Sequence, residues 1–180
     1  MFAWDSERGA RIRWPENFQV SCLEAFPSGS RMLIWGRTVP PSSPFHEVIV
    51  PVILDMATGR MLCALPGQTA TILVGRVFPA GDRVLTGNDD GSVVVWDLHT
   101  CAGVHRFNHR GSVLEAAVLA DGAMIATICA GDGLTFWNLL SGERQQLAGG
   151  ASLWRLSPIS GNELVAAWDP HSDGALVVDA

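Results

Sequence analysis

The segment SVVVWDLHTCAG, residues 92–103, decides the fold class of this chain. It opens with a β-branched apolar run that ends in Trp-Asp, and it continues into polar and glycine residues that favour a tight turn. Comparable strand endings, an apolar pair followed by an acid or an amide, recur along the sequence: AWD at 3–5, ILD at 53–55, FWN at 136–138 and VVD at 177–179. The 180 residues therefore contain an internal repeat.

The period of this repeat predicts the architecture. Four closing residues follow one another at intervals of 42, 41 and 41 residues: Asp55, Asp97, Asn138 and Asp179. A period of about 40–45 residues is typical of β-propeller blades. The preceding interval, from Asp5, is 50 residues long, and we assign the excess to a loop insertion at 36–47, GRTVPPSSPFHE, because its prolines cannot continue a central strand. The units of this single domain are approximately 6–55, 56–97, 98–138 and 139–179.

Each unit divides into short β-rich runs separated by turn signals. In the second unit these runs are TILVGRVF at 71–78, RVLTG at 83–87 and SVVVWD at 92–97, with PAGD and NDDG between them. Glycine, proline or Asp/Asn turns interrupt the chain too often for helices. We therefore predict an all-β fold, a β-propeller built of four-stranded antiparallel blades, with four repeat units visible.

The charge and hydropathy of the sequence indicate which kinds of binding partner to expect. The net charge is −6 and the basic residues are scattered, so the positive surface that nucleic-acid binding needs is absent from the sequence pattern. No apolar run approaches the roughly 18 residues of a membrane helix, and the first residues are too charged for a secretory signal. We expect no nucleic-acid or membrane binding and an intracellular location, in the cytoplasm with the nucleus as the alternative.

The cysteines do not form a metal-binding or redox motif in the sequence. Cys22, Cys63, Cys101 and Cys129 are far apart and contain no CxxC pair. We expect buried free thiols, with a disulfide between neighbouring strands left open, and neither a metal site nor a cofactor.

The stretch from Gly67 to Asp97 resembles the WD-repeat family, whose units run from a Gly-His pair, through a turn with Asp-Gly, to a closing Trp-Asp. The same 30-residue distance separates Asn108 from Asn138 and Gly149 from Asp179. The resemblance thus covers nearly the whole chain. It implies a propeller that acts as a non-catalytic binding scaffold.

The resemblance also implies a buried hydrogen-bond network in each unit. In the family this network joins the opening His, a Ser or Thr of the second strand, an Asp of the following turn and the Trp of the third strand. By position, the second and third units supply Gln68, Thr86, Asp90 and Trp96, and His109, Thr127 and Trp137. The third unit departs from the pattern, since Gly131 takes the aspartate position and Asp132 comes one residue later. The fourth departs further, with Gly150, Ser172 and Val178 at the network positions. We assign these residues structural roles and expect no catalytic residue.

A propeller brings the loops that open its units, and the turns between second and third strands, together on one face. Within those loops we predict four residues that bind a protein or peptide partner: Arg110, Trp154, His171 and Asp89. The alternative is a small-molecule site or an enzyme in the central channel, for which the innermost strands offer Arg76, Glu115 and Arg155. A purely structural segment of a larger scaffold is the third hypothesis.

Closure of the ring has three solutions at this stage. In the first, the segment ARIRW at 10–14 supplies an outer strand to the blade formed by 150–178, and the chain closes alone. In the second, two copies of the chain form a larger ring as a homodimer. In the third, the ring is completed by additional blades of a longer chain.

Overall fold

The computed structural model describes residues 2–5, 10–13, 18–38, 48–68, 70–119, 122–147, 155–158, 164–168 and 175–179. The first blade contains β3 (Phe18–Ala25), β4 (Arg31–Thr38), a short β5 (Val48–Ile49), β6 (Val52–Asp55) and β7 (Met61–Ala64), and a hairpin of β1 (Phe2–Asp5) and β2 (Ala10–Arg13) precedes it. The second blade contains β8 (Ile72–Val77), β9 (Arg83–Asn88), β10 (Ser92–Asp97) and β11 (Ala102–Asn108). The third contains β12 (Val113–Leu119), β13 (Met124–Cys129), β14 (Gly133–Asn138) and β15 (Arg144–Gln146), and β16 (Arg155–Pro158), β17 (Leu164–Trp168) and β18 (Ala175–Asp179) form a three-stranded sheet.

These sheets confirm the predicted all-β fold of four-stranded antiparallel blades. Every pairing between described strands is antiparallel, and consecutive strands pair with one another in three complete blades. The first strands of successive blades pack side by side, β3 against β8, β8 against β12 and β12 against β16. None of the described segments forms a long apolar helix of the kind that crosses a bilayer.

The strand β10 explains why the repeat reads as a nearly continuous apolar run. Val93 and Val95 face the third blade and pack in a cluster with Val113 and Trp137. Val94 and Trp96 face the first blade and pack in the cluster that contains Trp35 and Ile53. Because neighbouring side chains of a strand point to opposite faces, a blade packed on both sides needs apolar residues at every position.

The recurring acid or amide at the end of the third strand closes a turn. The Oδ1 atom of Asp97 accepts hydrogen bonds from the backbone N–H groups of His99, at 2.9 Å, and Thr100, at 2.8 Å. Asp55 and Asn138 make the same kind of contact with residues three positions later, at 2.7 and 3.0 Å. The period read from the sequence is therefore the period of a side-chain-capped turn.

A second repeated contact fastens each blade to the next. Arg31 lies over the ring of Phe26, at 4.5 Å, and its guanidinium donates to the carbonyl oxygen of Gly81 in the second blade, at 2.7 Å. Arg83 lies over Phe78, at 4.4 Å, and donates in the same way to the carbonyl oxygen of Gly122 in the third blade, at 3.3 Å.

The structure corrects the predicted bounds of the insertion. Strand β4 continues through Gly36, Arg37 and Thr38, and β5 pairs with it through Arg37↔Ile49 and Thr38↔Val48. The first three residues of the predicted insertion, 36–38, therefore belong to the end of strand β4. The first proline of the insertion, Pro40, comes only after that strand has ended. The rest of the insertion, 39–47, lies outside the described residues.

The proposed closure through residues 10–14 is also wrong as far as the described strands go. Strand β2, which holds most of that segment, pairs with β1 in the register Phe2↔Arg13, and no pairing with β18 is present among the described residues.

Two of the four cysteines depart from the expected free thiols. Cys63 on β7 and Cys101 in the turn after β10 form a disulfide between the first and second blades, with their Cα atoms 6.0 Å apart. Of the remaining two, Cys129 is buried as expected and Cys22 is exposed. Sequence spacing could not reveal the pair, because packing of one blade on the next brings together residues 38 positions apart.

Candidate functional site

The loops that open the blades and the turns between their second and third strands form one continuous surface, which we call the loop rim: residues 67, 68, 70, 71, 88–91, 109–112 and 130–133. Hydrogen bonds run along it from blade to blade. The N–H of Asp89 donates to the carbonyl oxygen of Thr71, at 2.9 Å, and the carbonyl oxygen of Asp89 accepts from the hydroxyl of Ser112, at 2.8 Å. The carbonyl oxygen of Ser112 accepts in turn from the N–H of Ala130, at 2.9 Å.

Below the rim, the second blade joins three of the four predicted network residues. The buried hydroxyl of Thr86 accepts from Gln68 Nε2 at 2.9 Å and from Trp96 Nε1 at 3.0 Å. Gln68 thus occupies the place of the family's histidine with a donor of its own. Asp90 was predicted here as well, but its Oδ1 accepts from the N–H and hydroxyl of Ser92, at 2.9 and 2.6 Å. Because that contact closes the turn locally, Asp90 stays exposed and outside the network.

The third blade joins His109, Thr127 and Trp137. The hydroxyl of Thr127 lies 2.8 Å from His109 Nε2, accepts from Trp137 Nε1 at 3.1 Å and donates to the carbonyl oxygen of Thr135 at 3.3 Å. His109 Nδ1 is fully buried and makes no hydrogen bond. The nearest carboxylate oxygen, Asp132 Oδ2, is 3.7 Å away, beyond hydrogen-bond distance.

Several titratable groups surround that unpaired nitrogen. Burial lowers the pKa of His109, and the nearby charge of Arg144 lowers it further against the opposing effect of Asp132. The backbone N–H of Arg110 donates to Asp132 Oδ2 at 3.1 Å and holds the pKa of that carboxyl below its usual value. Burial raises the pKa of the Cys129 thiol. The imidazole, the thiol and the carboxylate offer atoms that all lie within 4.8 Å of one another, although the sequence predicted no metal ligands.

The predicted binding residues fall into two groups. Arg110 and Asp89 are both exposed on the loop rim, on neighbouring blades. Asp89 also accepts the N–H of Thr71 through its side chain, at 3.0 Å, which fixes the carboxylate against the rim. Trp154 and His171 lie outside the described residues.

The charges predicted for the central channel do meet. Arg76 on β8 forms an ion pair with Glu115 on β12, and its Nε donates to the carbonyl oxygen of Ala116 at 3.0 Å. Its Nη1 also contacts Glu24 Oε2 on β3, at 3.1 Å. The third predicted residue, Arg155, is exposed. Arg76 therefore bridges two carboxylates on the innermost strands of three successive blades.

Sequence reasoning missed Glu24, although a signal for it exists. The segment EAFPSGSR at 24–31 aligns with RVFPAGDR at 76–83 through the shared Phe-Pro-x-Gly-x-Arg pattern, which places Glu24 at the position of Arg76. Glu24 Oε1 accepts from the N–H of Val77 at 2.8 Å. Burial raises the pKa of Glu24, while the N–H of Val77 and the charge of Arg76 oppose that rise.

Comparison with solved structures supports the fold. The chain superposes on the solved structure of U3-55K with a TM-score of 0.67 and 16% sequence identity, over 92% of this chain and 53% of that one. This likeness agrees with the antiparallel blades described above and with the repeat in the sequence. This chain has the fold and the repeat pattern of a WD-repeat β-propeller. No protein-family model matches it.

Curated WD-repeat relatives agree with this assignment at low identity. The chain is 23% identical over 173 residues to the rice (Oryza sativa subsp. japonica) chromatin assembly factor 1 subunit FAS2 homolog, covering 89% of this chain and 31% of the relative. It is 26% identical over 137 residues to the periodic tryptophan protein 2 homolog of Schizosaccharomyces pombe, covering 76% and 15%. This WD-repeat chain therefore spans a third or less of these relatives and about half of the U3-55K chain.

Proposed function

We propose that this WD-repeat protein is a non-catalytic interaction scaffold that binds a protein or peptide through its loop rim. The observation that carries the proposal is the rim itself, where backbone hydrogen bonds within blades and the bond from the Ser112 hydroxyl to the carbonyl oxygen of Asp89 between blades order the loops. A preorganised surface loses little conformational entropy on binding. Arg110 and Asp89 offer one charge of each sign there, and Arg is among the residues that dominate interface energies.

The relatives support a role in assemblies. One of them is named as a subunit of a chromatin assembly factor, and the relatives as a group are WD-repeat proteins. Such names fit an intracellular location, and they give no support to the cytoplasm over the nucleus. For this chain we propose only the general role of an interaction scaffold, and the partner is to be identified by experiment.

A channel site for a small molecule or for catalysis has one observation in its favour, the charges of Glu24, Arg76 and Glu115 on the innermost strands. Arg76 is held by both carboxylates and by two carbonyl oxygens, those of Gly75 and Ala116. A guanidinium with four of its five N–H donors already used holds adjacent strands together rather than binding an anion. We therefore assign this cluster to the contact between blades.

Site-directed photo-crosslinking in cells tests the proposal. A crosslinking amino acid replaces Arg110 in one variant and Gln145, an exposed residue of the outer strand β15, in a matched control. We expect a discrete crosslinked protein from position 110 and none from position 145. In the otherwise unmodified chain, Arg110→Glu should then abolish co-purification of that protein. Equal crosslinking from both positions, or binding unaffected by Arg110→Glu, would show that the rim is not the binding surface.

A further inference from the structure

We propose that His109, Cys129 and Asp132 form a binding site for a divalent transition-metal ion, with Zn²⁺ as the best match. The three residues come from different parts of the third unit: the loop before β12, the end of β13 and the turn before β14. One ligand atom from each residue, a ring nitrogen of His109, Cys129 Sγ and a carboxylate oxygen of Asp132, lies within 4.8 Å of the other two.

The spacing of these atoms approaches that of a tetrahedral site. Metal–ligand distances of about 2.0–2.3 Å place neighbouring ligand atoms roughly 3.4–3.6 Å apart around Zn²⁺. His109 Nδ1 and Asp132 Oδ2 are already 3.7 Å apart. A small inward movement of Cys129 and Asp132, which both belong to one short hairpin, completes the geometry.

His109 Nδ1 is a buried ring nitrogen without a hydrogen-bond partner. Thr127 has a single hydroxyl hydrogen, and the carbonyl oxygen of Thr135 takes it at 3.3 Å. The same oxygen accepts the N–H of Trp137, and when its own hydrogen is on Thr135 it accepts from Nε2 of His109, the tautomer that leaves Nδ1 without a hydrogen. In this tautomer the lone pair of Nδ1, 3.7 Å from Asp132 Oδ2, is available to a metal ion.

The donor set favours zinc over other ions. A thiolate and an imidazole together suit Zn²⁺ rather than Mg²⁺ or Ca²⁺, which prefer oxygen ligands. On binding, the Cys129 thiol releases its proton to solvent and exchanges its contact with the carbonyl oxygen of Gly111, at 3.0 Å, for the metal. A dication then meets one thiolate and one carboxylate, so the site is close to neutral.

The site reaches solvent at Asp132. The side chain of His109 is fully buried, whereas that of Asp132 is 12% exposed, so an ion enters past Asp132 and keeps a water molecule as its fourth ligand. Arg144 Nη2 lies 3.7 Å from Asp132 Oδ2 and is the cation that an incoming metal must displace. Because its side chain is 37% exposed, it can turn outward into water.

Cobalt substitution tests the proposal on the full chain. Co²⁺ bound by a thiolate in a tetrahedral site gives a sulfur-to-cobalt charge-transfer band together with intense d–d bands, and Zn²⁺ should abolish both by displacement. We expect one equivalent of Co²⁺ per chain. Cys129→Ser should remove the charge-transfer band, and His109→Gln should weaken binding about tenfold or more. Cys22→Ser, at the exposed free thiol, is the matched control and should leave the spectrum unchanged.

The chain itself supplies the reason to use His109→Gln. Gln68 stands at the same place in the second blade and donates to Thr86 at 2.9 Å, so glutamine keeps the network while it removes the metal ligand. Circular dichroism and the urea midpoint verify that this variant is folded. The proposal is overturned if wild-type protein shows no charge-transfer band, if the band survives Cys129→Ser, or if folded His109→Gln binds as tightly as wild type.

Discussion

At the scale of single residues, the Thr127 hydroxyl is the contact on which the third blade depends. Thr127→Val removes the acceptor of two buried donors, His109 Nε2 and Trp137 Nε1. Each unpaired buried donor costs about 1–3 kcal/mol, so we expect the free energy of unfolding to fall by about 2–4 kcal/mol. Urea denaturation followed by tryptophan fluorescence measures the change.

A neighbouring threonine is the matched control. Thr135 on β14 is equally buried, but its hydroxyl has no hydrogen-bond partner. Thr135→Val should therefore leave the free energy of unfolding unchanged or raise it slightly. Equal losses in both variants would mean that shape, and not the hydrogen bonds, accounts for the effect at Thr127.

Glu24 gives a prediction for pH. Its pKa in the folded protein is raised above 4.5, first by burial, so the folded state holds more protons than the unfolded state just above pH 4.5. The contribution of this carboxyl to stability therefore falls as the pH rises through that range. Glu24→Gln keeps an acceptor for the N–H of Val77 and abolishes the titration.

The measurement is the difference in unfolding free energy between Glu24→Gln and wild type at several pH values from 4.5 to neutrality. This difference should grow in favour of the variant as the pH rises. Subtracting wild type cancels the opposite slope of His109, whose lowered pKa makes stability rise with pH just below 6.5. A difference that is constant with pH would contradict the raised pKa of Glu24.

At the scale of the turn, Cys101 stands where the other two repeats have glycine. Gly59 and Gly142 have φ values of 68° and 72°, and Cys101 has φ 54° at the equivalent place after its closing aspartate. A left-handed conformation costs a residue with a Cβ atom about 1–2 kcal/mol, and glycine avoids that cost. At this position Cys101 forms the disulfide with Cys63 of the neighbouring blade, and this bond offsets the cost of the left-handed conformation.

Cys101→Gly should therefore change stability in opposite directions in two buffers. In reducing buffer, where no disulfide exists, we expect the variant to be more stable than wild type by about 1 kcal/mol. In oxidising buffer it should be less stable, since a crosslink closing a 38-residue loop contributes up to about 4 kcal/mol. Thiol titration of denatured wild type should find two free thiols before reduction and four after it. Four thiols without reduction would refute the disulfide.

The elements also show which features a sequence can reveal. The closing Asp or Asn and the apolar run of β10 recur because every blade solves the same local problem, so the period and the four strands were predictable. Contacts between residues of different blades could not be predicted from the sequence. Examples are the pairing of Cys63 with Cys101 and that of Glu24 with Arg76, which is 52 positions away. Asp90 shows the limit of positional transfer, because a local bond to Ser92 replaced the network contact that its position implied.

For the whole molecule, the described strands include two sheets with fewer than four strands, one at each end of the chain. Strand β18 pairs with β17, and no described strand pairs with its other side. The hairpin of β1 and β2 is likewise a separate two-stranded sheet. Unpaired strand edges present rows of free N–H and C=O groups and promote association with other strands.

We therefore expect the isolated 180-residue chain to associate in solution. The likeness to U3-55K covers 53% of that chain. Light scattering on a sizing column, repeated over a dilution series, should give a molar mass above that of one chain. A discrete dimer would indicate that two copies complete a larger ring. A broad distribution of molar mass that changes with concentration would indicate non-specific association through unpaired strand edges. A monomer at every concentration would contradict this expectation, because it would require β18 to find its missing partner within the same chain.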